Sequence, residues 1–235
     1  MNFFSGYFKK VTEKKMKARQ GGLTGTWSGT IARNTGVDRC PFVVFDTELS
    51  GLNAKKDFIV SIGAIKMTGG TINISSEFYR MIRPAGEMTR TSVEIHGMTP
   101  GELENKEPLE TVLPDFLDFI RDSVLVGHFV GIDLAFVNRV LKIMGGSRLR
   151  NPAVDTHRIH DWLSENSGEF KKHYHGTSAK TDLFSIAERY GITISAAHDA
   201  LGDAFITAQL FQKFLHFLHA EGMGRLDELL DIGRA

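Results

Sequence analysis

From Pro41 onward, short apolar runs alternate with stretches of helical periodicity. The run Pro41-Phe42-Val43-Val44-Phe45 opens a predicted strand over 41–47. Phe58 to Met67 and Ile72 to Ile82 read as two more strands, and Gly69-Gly70 supplies the hairpin turn between them. Residues 101–107 read as a charged loop. Between Pro108 and Arg121 the apolar positions Leu109, Val112, Leu113, Phe116, Leu117 and Ile120 recur every three or four residues, which predicts a helix. Val124-Leu125-Val126 is a short buried strand. Asp133 to Met144 is amphipathic and helical, stopped by Gly145-Gly146. Ala153-Val154 is a second short strand ending at Asp155, and residues 164–180 form a loop rich in Ser, Gly, Lys and His. Thr181 or Asp182 caps a helix through Tyr190 that Gly191 ends, and Ala200 to Leu218 is the last long helix. Three strands of hairpin character, then helix, strand, helix, strand and helices, predict an α/β class: a mixed five-stranded sheet flanked by helices.

The first forty residues differ. Phe3, Phe4, Tyr7, Phe8 and Val11 fall at helical spacing among lysines, Gly6 weakens that helix, and Gly21 to Thr30 reads as linker. The expected organisation is a basic extension over 1–40, a domain over 41–220 and a short tail over 221–235. The extension suits an anchor to a protein partner, a nucleic-acid arm, a membrane-surface helix, or a segment that docks on its own domain or stays disordered.

Charge sharpens this division. The whole chain is neutral, with 28 Lys and Arg against 28 Asp and Glu. Residues 1–40 carry Lys9, Lys10, Lys14, Lys15, Lys17, Arg19, Arg33 and Arg39 against Glu13 and Asp38, so the body is acidic. Such a body is no nonspecific DNA-coating protein; contact with nucleic acid needs cations or a local patch. The single cysteine, Cys40, precludes an internal disulfide. The best apolar stretch, Ser123 to Val137, contains His128 and Asp133 and is too short to span a bilayer. With no signal peptide visible, the expectation is a cytoplasmic protein without a membrane partner.

The candidate chemistry begins at the end of the first strand. Strand residues i and i+2 share a face, so Asp46 and Glu48 present two carboxylates side by side. Their repulsion and desolvation cost are both relieved by a cation, and hard oxygen ligands suit Mg²⁺ or Mn²⁺. An acidic turn after a strand is the plain alternative. Asp133 follows a short strand and opens a helix, where it can also serve the helix dipole. His198 precedes the last long helix and Asp203 lies within it among Ala200, Ala204 and Ile206, so Asp203 faces inward or toward a cleft and needs a partner. Asp199 reads as the N-cap of that helix.

Phe45-Asp46-Thr47-Glu48-Leu49-Ser50-Gly51, Val126-Gly127-His128-Phe129-Val130-Gly131-Ile132-Asp133, and His198 with Asp203 five residues on resemble the three motifs of the DEDDh (DnaQ-like) exonucleases. That family includes the epsilon proofreading subunit of bacterial DNA polymerase III, ribonuclease T and oligoribonuclease. Glu94-Ile95-His96-Gly97-Met98-Thr99 is similar to the family's His-Gly-Ile-Thr segment, and Val154-Asp155-Thr156 to its Asp-Thr strand end. The resemblance covers roughly residues 41–218. Leu49-Ser50 stand where the family has two threonines, and Phe129 and Ile132 replace its Asn and Phe.

The resemblance implies a ribonuclease H-like fold and hydrolysis from the 3′ end of single-stranded nucleic acid. DNA proofreading or repair competes with RNA trimming. A non-catalytic nucleic-acid-binding domain on the same fold is the reading from another class. The chemistry fits: two divalent ions about 3.5–4 Å apart stabilise both ends of an in-line attack on phosphorus. Asp46 would bridge two Mg²⁺ or Mn²⁺ ions, Glu48, Asp133 and Asp203 would complete their shells, and His198 would be the general base. Thr47, Leu49 and His96 are expected at the substrate. His128 is expected to pack or hydrogen-bond, Asp155 to cap a helix, and His157 and His160 to lie on an exposed face. Lys171, Lys172, His173, Tyr174 and His175 suit a single strand or a solvated loop. Residues 221–235 hold no Gln-Leu-x-Leu-type clamp peptide, which favours a stand-alone or accessory exonuclease, with residues 1–40 reaching a polymerase or other protein partner.

Overall fold

The computed structural model describes residues 28–29, 31–174, 180–194 and 198–235. The amphipathic positions 3–11, most of the linker and His175 lie outside them. The sheet has five strands in the order β3-β2-β1-β4-β5. They are β1 (Pro41–Leu49), β2 (Ile59–Thr68), β3 (Thr71–Met81), β4 (Val124–Gly127) and β5 (Ala153–Asp155). β1 pairs antiparallel with β2 and parallel with β4; β2–β3 is an antiparallel hairpin and β4–β5 is parallel.

Among the described residues a short 3-10 turn (Val37–Arg39) precedes the sheet, and nine α-helices complete the fold: α1 (Arg90–His96), α2 (Pro100–Leu103), α3 (Leu109–Ile120), α4 (Gly131–Ile143), α5 (Thr156–Asn166), α6 (Gly168–His173), α7 (Leu183–Arg189), α8 (Ala200–Ala220) and α9 (Leu226–Gly233). Central β1 is covered on both faces, which explains its unbroken apolar run. Phe42 and Val44 bury against α8, where Phe42 meets Phe211 edge-on at 5.0 Å between ring centroids. Val43 and Phe45 bury against α3 and α4, with Phe45 and Phe116 at 5.6 Å. A phenylalanine fully removed from water contributes roughly 2–3 kcal/mol. Alternation along β1 therefore sends Asp46 and Glu48 toward α8 and Thr47 toward α4.

α8 lies directly on β1 and β2. Ala200, Ala204 and Ala208 repeat at four-residue spacing and are fully buried, so the helix backbone can approach the sheet. Its first turn rests over Gly63. A Cβ on Gly63 would stand 2.2 Å from the Ala200 carbonyl carbon and the Leu201 nitrogen. The glycine is therefore a condition of this packing.

Several elements depart from the sequence pattern. The expected loop 101–107 begins inside α2, which a capping box between Thr99 and Glu102 starts. The expected loop 164–180 contains the end of α5 and all of α6, which Ser167 caps by accepting from the Phe170 N–H. Phe170 is the only buried residue of α6, so periodicity had nothing to register. The segment 221–235, expected as a tail, carries α9, which packs against α5 and β5. Residues 31–40, expected as part of the basic extension, bury Val37 and Cys40 against the sheet core. Among the described residues no helix is long and apolar enough to cross a membrane.

Candidate active site

Asp46, Glu48 and Asp203 converge at the C-terminal end of β1, each offering one carboxylate oxygen within 4.8 Å of the others. Two come from alternate positions of β1 and one from the first turn of α8, which Gly63 admits to the sheet. Glu48 and Asp203 are buried; Asp46 is partly buried. Burial, then the charge of Asp199, pushes the Glu48 carboxyl up to about 7. Burial, then Glu48 and Asp199, does the same for Asp203, also to about 7, against a hydrogen bond from the His198 backbone N–H. Burial, followed by Asp133, Glu48 and Asp203, holds Asp46 well above the ordinary carboxylate range. Carboxylates that repel one another in a largely buried site are relieved by protonation at low pH and, once ionised, by a cation.

The donor set fits a hard divalent ion. All ligand atoms are carboxylate oxygens, and Asp203 Oδ1 is buried without any hydrogen-bond partner. An oxygen left bare in a folded protein calls for an explanation, and a ligand at that spot provides one.

Asp133 enters from the opposite face on α4. Its Oδ1 accepts from the Thr47 backbone N–H at 3.0 Å and from the Thr47 hydroxyl. Burial raises its pKa, and the two Thr47 bonds oppose that shift. It stands near enough to be the largest charge acting on Asp46. Thr47, expected at the substrate, is buried and uses both donors on Asp133. The reason is parity, because Thr47 points to the α4 side. Leu49 is half-buried and packs against the α3–α4 core after a register shift between Glu48 and Leu49.

His198 immediately precedes α8 with a left-handed φ of 61° and an exposed side chain that meets Phe184 of α7 edge-on at 4.9 Å. His96 ends α1. Its Nδ1 accepts from the Met98 N–H at 3.1 Å, so its neutral ring carries the proton on Nε2. That Nε2 is buried and unpartnered, and burial holds the ring's pKa below the usual histidine value, with His198 adding to the depression. His128 hydrogen-bonds Thr156 Oγ1 at 3.0 Å and the Thr181 carbonyl at 2.9 Å, a packing role. Asp155 caps α5 through the His157 N–H and also accepts from Phe129, both at 3.0 Å. The exposed face expected for His157 and His160 is not found. His160 is buried among Phe170, Tyr190 and Phe214, and the His157 ring lies 4.4 Å from that of Phe129.

Three contributors escaped the sequence reading. Asp199 does cap α8, through Gly202 N–H at 3.2 Å, but it is also the leading charge on Glu48. Ser61, paired with Glu48 across the sheet, has a buried, unpartnered hydroxyl. Gly63, paired with Asp46, carried a legible signal: a glycine inside a mostly apolar strand marks a close backbone approach.

An exonuclease family model, RNase T, matches residues 43–211. The DNA polymerase III subunit epsilon of Aquifex aeolicus is 31% identical over 209 residues, covering 89% of this chain and 90% of that protein. The PolC-type DNA polymerase III of Thermotoga maritima is 35% identical over 188 residues, 80% of this chain but 13% of the relative. The chain thus spans only a small part of the PolC-type proteins it matches. Among solved structures, E. coli exonuclease I with a dT13 oligonucleotide aligns at TM-score 0.67 and 17% identity, over 78% of this chain and 43% of that one. Exonuclease X in complex with 5′-overhanging duplex DNA aligns at TM-score 0.59 and 18% identity, over 81% and 98%. At these identities the structures share the fold.

Proposed function

The chain belongs to the RNase T exonuclease family, and from that premise we propose that it removes nucleotides from the 3′ end of single-stranded nucleic acid by metal-assisted phosphodiester hydrolysis. The observation that carries the reading is the convergence of Asp46, Glu48 and Asp203 within 4.8 Å, with Asp203 Oδ1 left bare. DNA is favoured over RNA because the similar proteins are named as DNA polymerase III subunits and exonucleases with bound DNA. Those names also support a polymerase as partner, and residues 1–40 are the segment proposed to reach it or another protein.

Asp46, Glu48 and Asp203 would hold two Mg²⁺ or Mn²⁺ ions, with Asp133 completing the set from α4. Bound there, the ions make the attacking water more acidic and neutralise charge on the attacking and leaving oxygens. Thr47 fixes Asp133 in place. His198, exposed at the mouth of the site, takes the proton of the attacking water. His96 and Leu49 are the residues proposed beside the terminal nucleotide, and the buried Nε2–H of His96 becomes a donor to it only when the ring turns outward.

The test is release of nucleotides from 3′-labelled single strands of DNA and of RNA, with Mg²⁺ or Mn²⁺ and with a chelator. Chelation is expected to abolish release and DNA to be the better substrate. Asp203→Asn is expected to lower turnover by at least about a hundredfold, as loss of a metal-supporting group does. The same variant relieves repulsion, so its thermal midpoint without metal should not fall. Full activity of Asp203→Asn, or release that survives chelation, removes this reading.

A further inference from the structure

The row Asp46–Gly63–Tyr79 runs straight across the sheet, since Asp46 pairs with Gly63 on β2 and Gly63 with Tyr79 on β3. Directly opposed residues share a face. Phe78 is buried on the α3 side, so Tyr79 points with Asp46 toward α8. Gly63 has no side chain, and the first turn of α8 fills the slot this leaves. The slot is thus walled by the Asp46 carboxylate on one side and the Tyr79 phenol on the other. α8 packs on β3 as well as on β1 and β2.

The residue facing Tyr79 from that turn is Asp199. It accepts from Gly202 N–H at 3.2 Å through Oδ2, capping the helix that carries Asp203. Burial, then the nearby charge of Asp199, pushes the Tyr79 phenol up to about 12, so the hydroxyl stays protonated and can serve this carboxylate only as a donor. Asp199 is also the leading charge on Glu48 and a contributor on Asp203. A carboxylate so close to three others gains from a neutral donor that draws it to the far wall of the slot.

We propose that Tyr79 is a positioning residue for the reaction: by donating to Asp199 it anchors the first turn of α8 to β3, and so sets Asp203 and His198 against Asp46 and Glu48. The proposal rests on the reading of those carboxylates as the metal-holding set. Tyr79 touches neither substrate nor metal in this scheme. It acts through one hydrogen bond to a charged group and one helix cap.

Tyr79→Phe removes the hydroxyl and keeps the ring, so the fold is retained. On a 3′-labelled single strand with Mn²⁺, kcat is expected to fall about tenfold, the scale of one hydrogen bond to a charged group. KM should stay within about twofold, because the bound strand is not contacted. The Mn²⁺ concentration for half-maximal rate should rise at least about threefold. In an Asp199→Ala background Tyr79→Phe should have no further effect, since residues acting through one contact are non-additive. Asp199→Asn, which keeps an acceptor for both partners, should retain most of the rate that Asp199→Ala loses. Wild-type kcat and metal dependence in Tyr79→Phe overturn the proposal. So does an undiminished loss in the Asp199→Ala background, or a loss confined to KM. If the wild-type chain releases no nucleotide, the exonuclease reading fails by itself. Calorimetric titration with Mn²⁺ alone then judges the anchor: weaker binding in Tyr79→Phe supports it and equal binding overturns it.

Discussion

A carboxyl whose pKa is raised by folding reports on its surroundings, and four here, Asp46, Glu48, Asp133 and Asp203, are raised with burial as the leading cause. Glu48 and Asp203 are pushed up to about 7 by burial first and then by neighbouring carboxylates, Asp199 and Asp133 for Glu48 and Glu48 and Asp199 for Asp203; Asp46 moves the same way. The consequence for stability has a definite sign. Below the ordinary carboxylate pKa, near 4, both folded and unfolded chains are protonated and no stability is lost. As pH rises from about 4 to 7 the unfolded chain releases these protons first, so the metal-free folded state loses stability across that window. The loss is about 1.4 kcal/mol for each tenfold difference in proton affinity between the folded and unfolded chains. A divalent cation binds the ionised form and reverses the loss. Metal-stripped protein is therefore expected to melt at a higher temperature at pH 5 than at pH 8. Added Mn²⁺ should raise the midpoint more at pH 8 than at pH 5. Thermal scans at the two pH values with and without Mn²⁺ decide it; a metal-free midpoint that rises between pH 5 and 8 would mean the carboxylates are not so crowded. Asp46 and Glu48 were legible in the sequence because two residues of one strand need only the alternation rule to share a face. The role of Thr47 was hidden because its partner, Asp133, lies 86 positions away.

At the level of elements, the approach of α8 to the sheet governs the site more than any one side chain. Gly63 is the position where this can be tested. Alanine has the better strand propensity, a gain below about 1 kcal/mol. The added Cβ would meet the Ala200 carbonyl carbon and the Leu201 nitrogen at 2.2 Å, and these backbone atoms cannot rotate away. Overpacking of this kind costs about 1–3 kcal/mol, so the clash outweighs the propensity. Gly63→Ala is expected to lower the thermal midpoint, and to lower kcat by more than the folded fraction falls, because relief comes by lifting the turn that carries Asp203. A variant with wild-type stability and turnover would show that α8 does not set the geometry. The sequence showed α8 itself plainly, through a long apolar pattern and a capping Asp199. It could not show the distance between α8 and β2, because contacts between elements leave no periodicity. Short helices were lost for a related reason: α6 buries only Phe170, and α1 is marked mainly by its Thr89 cap and by Gly97 with φ 71°.

At the scale of the whole molecule, the two ends of the described chain close on each other away from the site. Val37 donates to the Gly224 carbonyl at 2.8 Å, Leu226 to Thr35 at 2.9 Å and Asp227 to Arg33 at 2.8 Å. Residues 33–37 lead into the N-terminal end of β1, whereas Asp46 and Glu48 stand at its C-terminal end. α9 then crosses to β5 and α5, with Leu226 and Leu229 buried and Gly233 close against Val154 and Ile159. Leu226, Leu229 and Leu230 carry a helical spacing that is visible in the sequence, but only packing shows that they belong to the core. These contacts separate stability from chemistry. Leu229→Ala opens a cavity in the closing layer and is expected to cost about 2–4 kcal/mol. For a chain of this size that lowers the melting midpoint by roughly 5–15 °C. Turnover per folded molecule at 25 °C should remain within about twofold, since the site lies at the other end of β1. Scanning calorimetry beside a single-turnover assay checks both halves. A large drop in the rate of the folded fraction would mean that the closing layer also shapes the carboxylate cluster, and that the two ends of β1 are mechanically coupled.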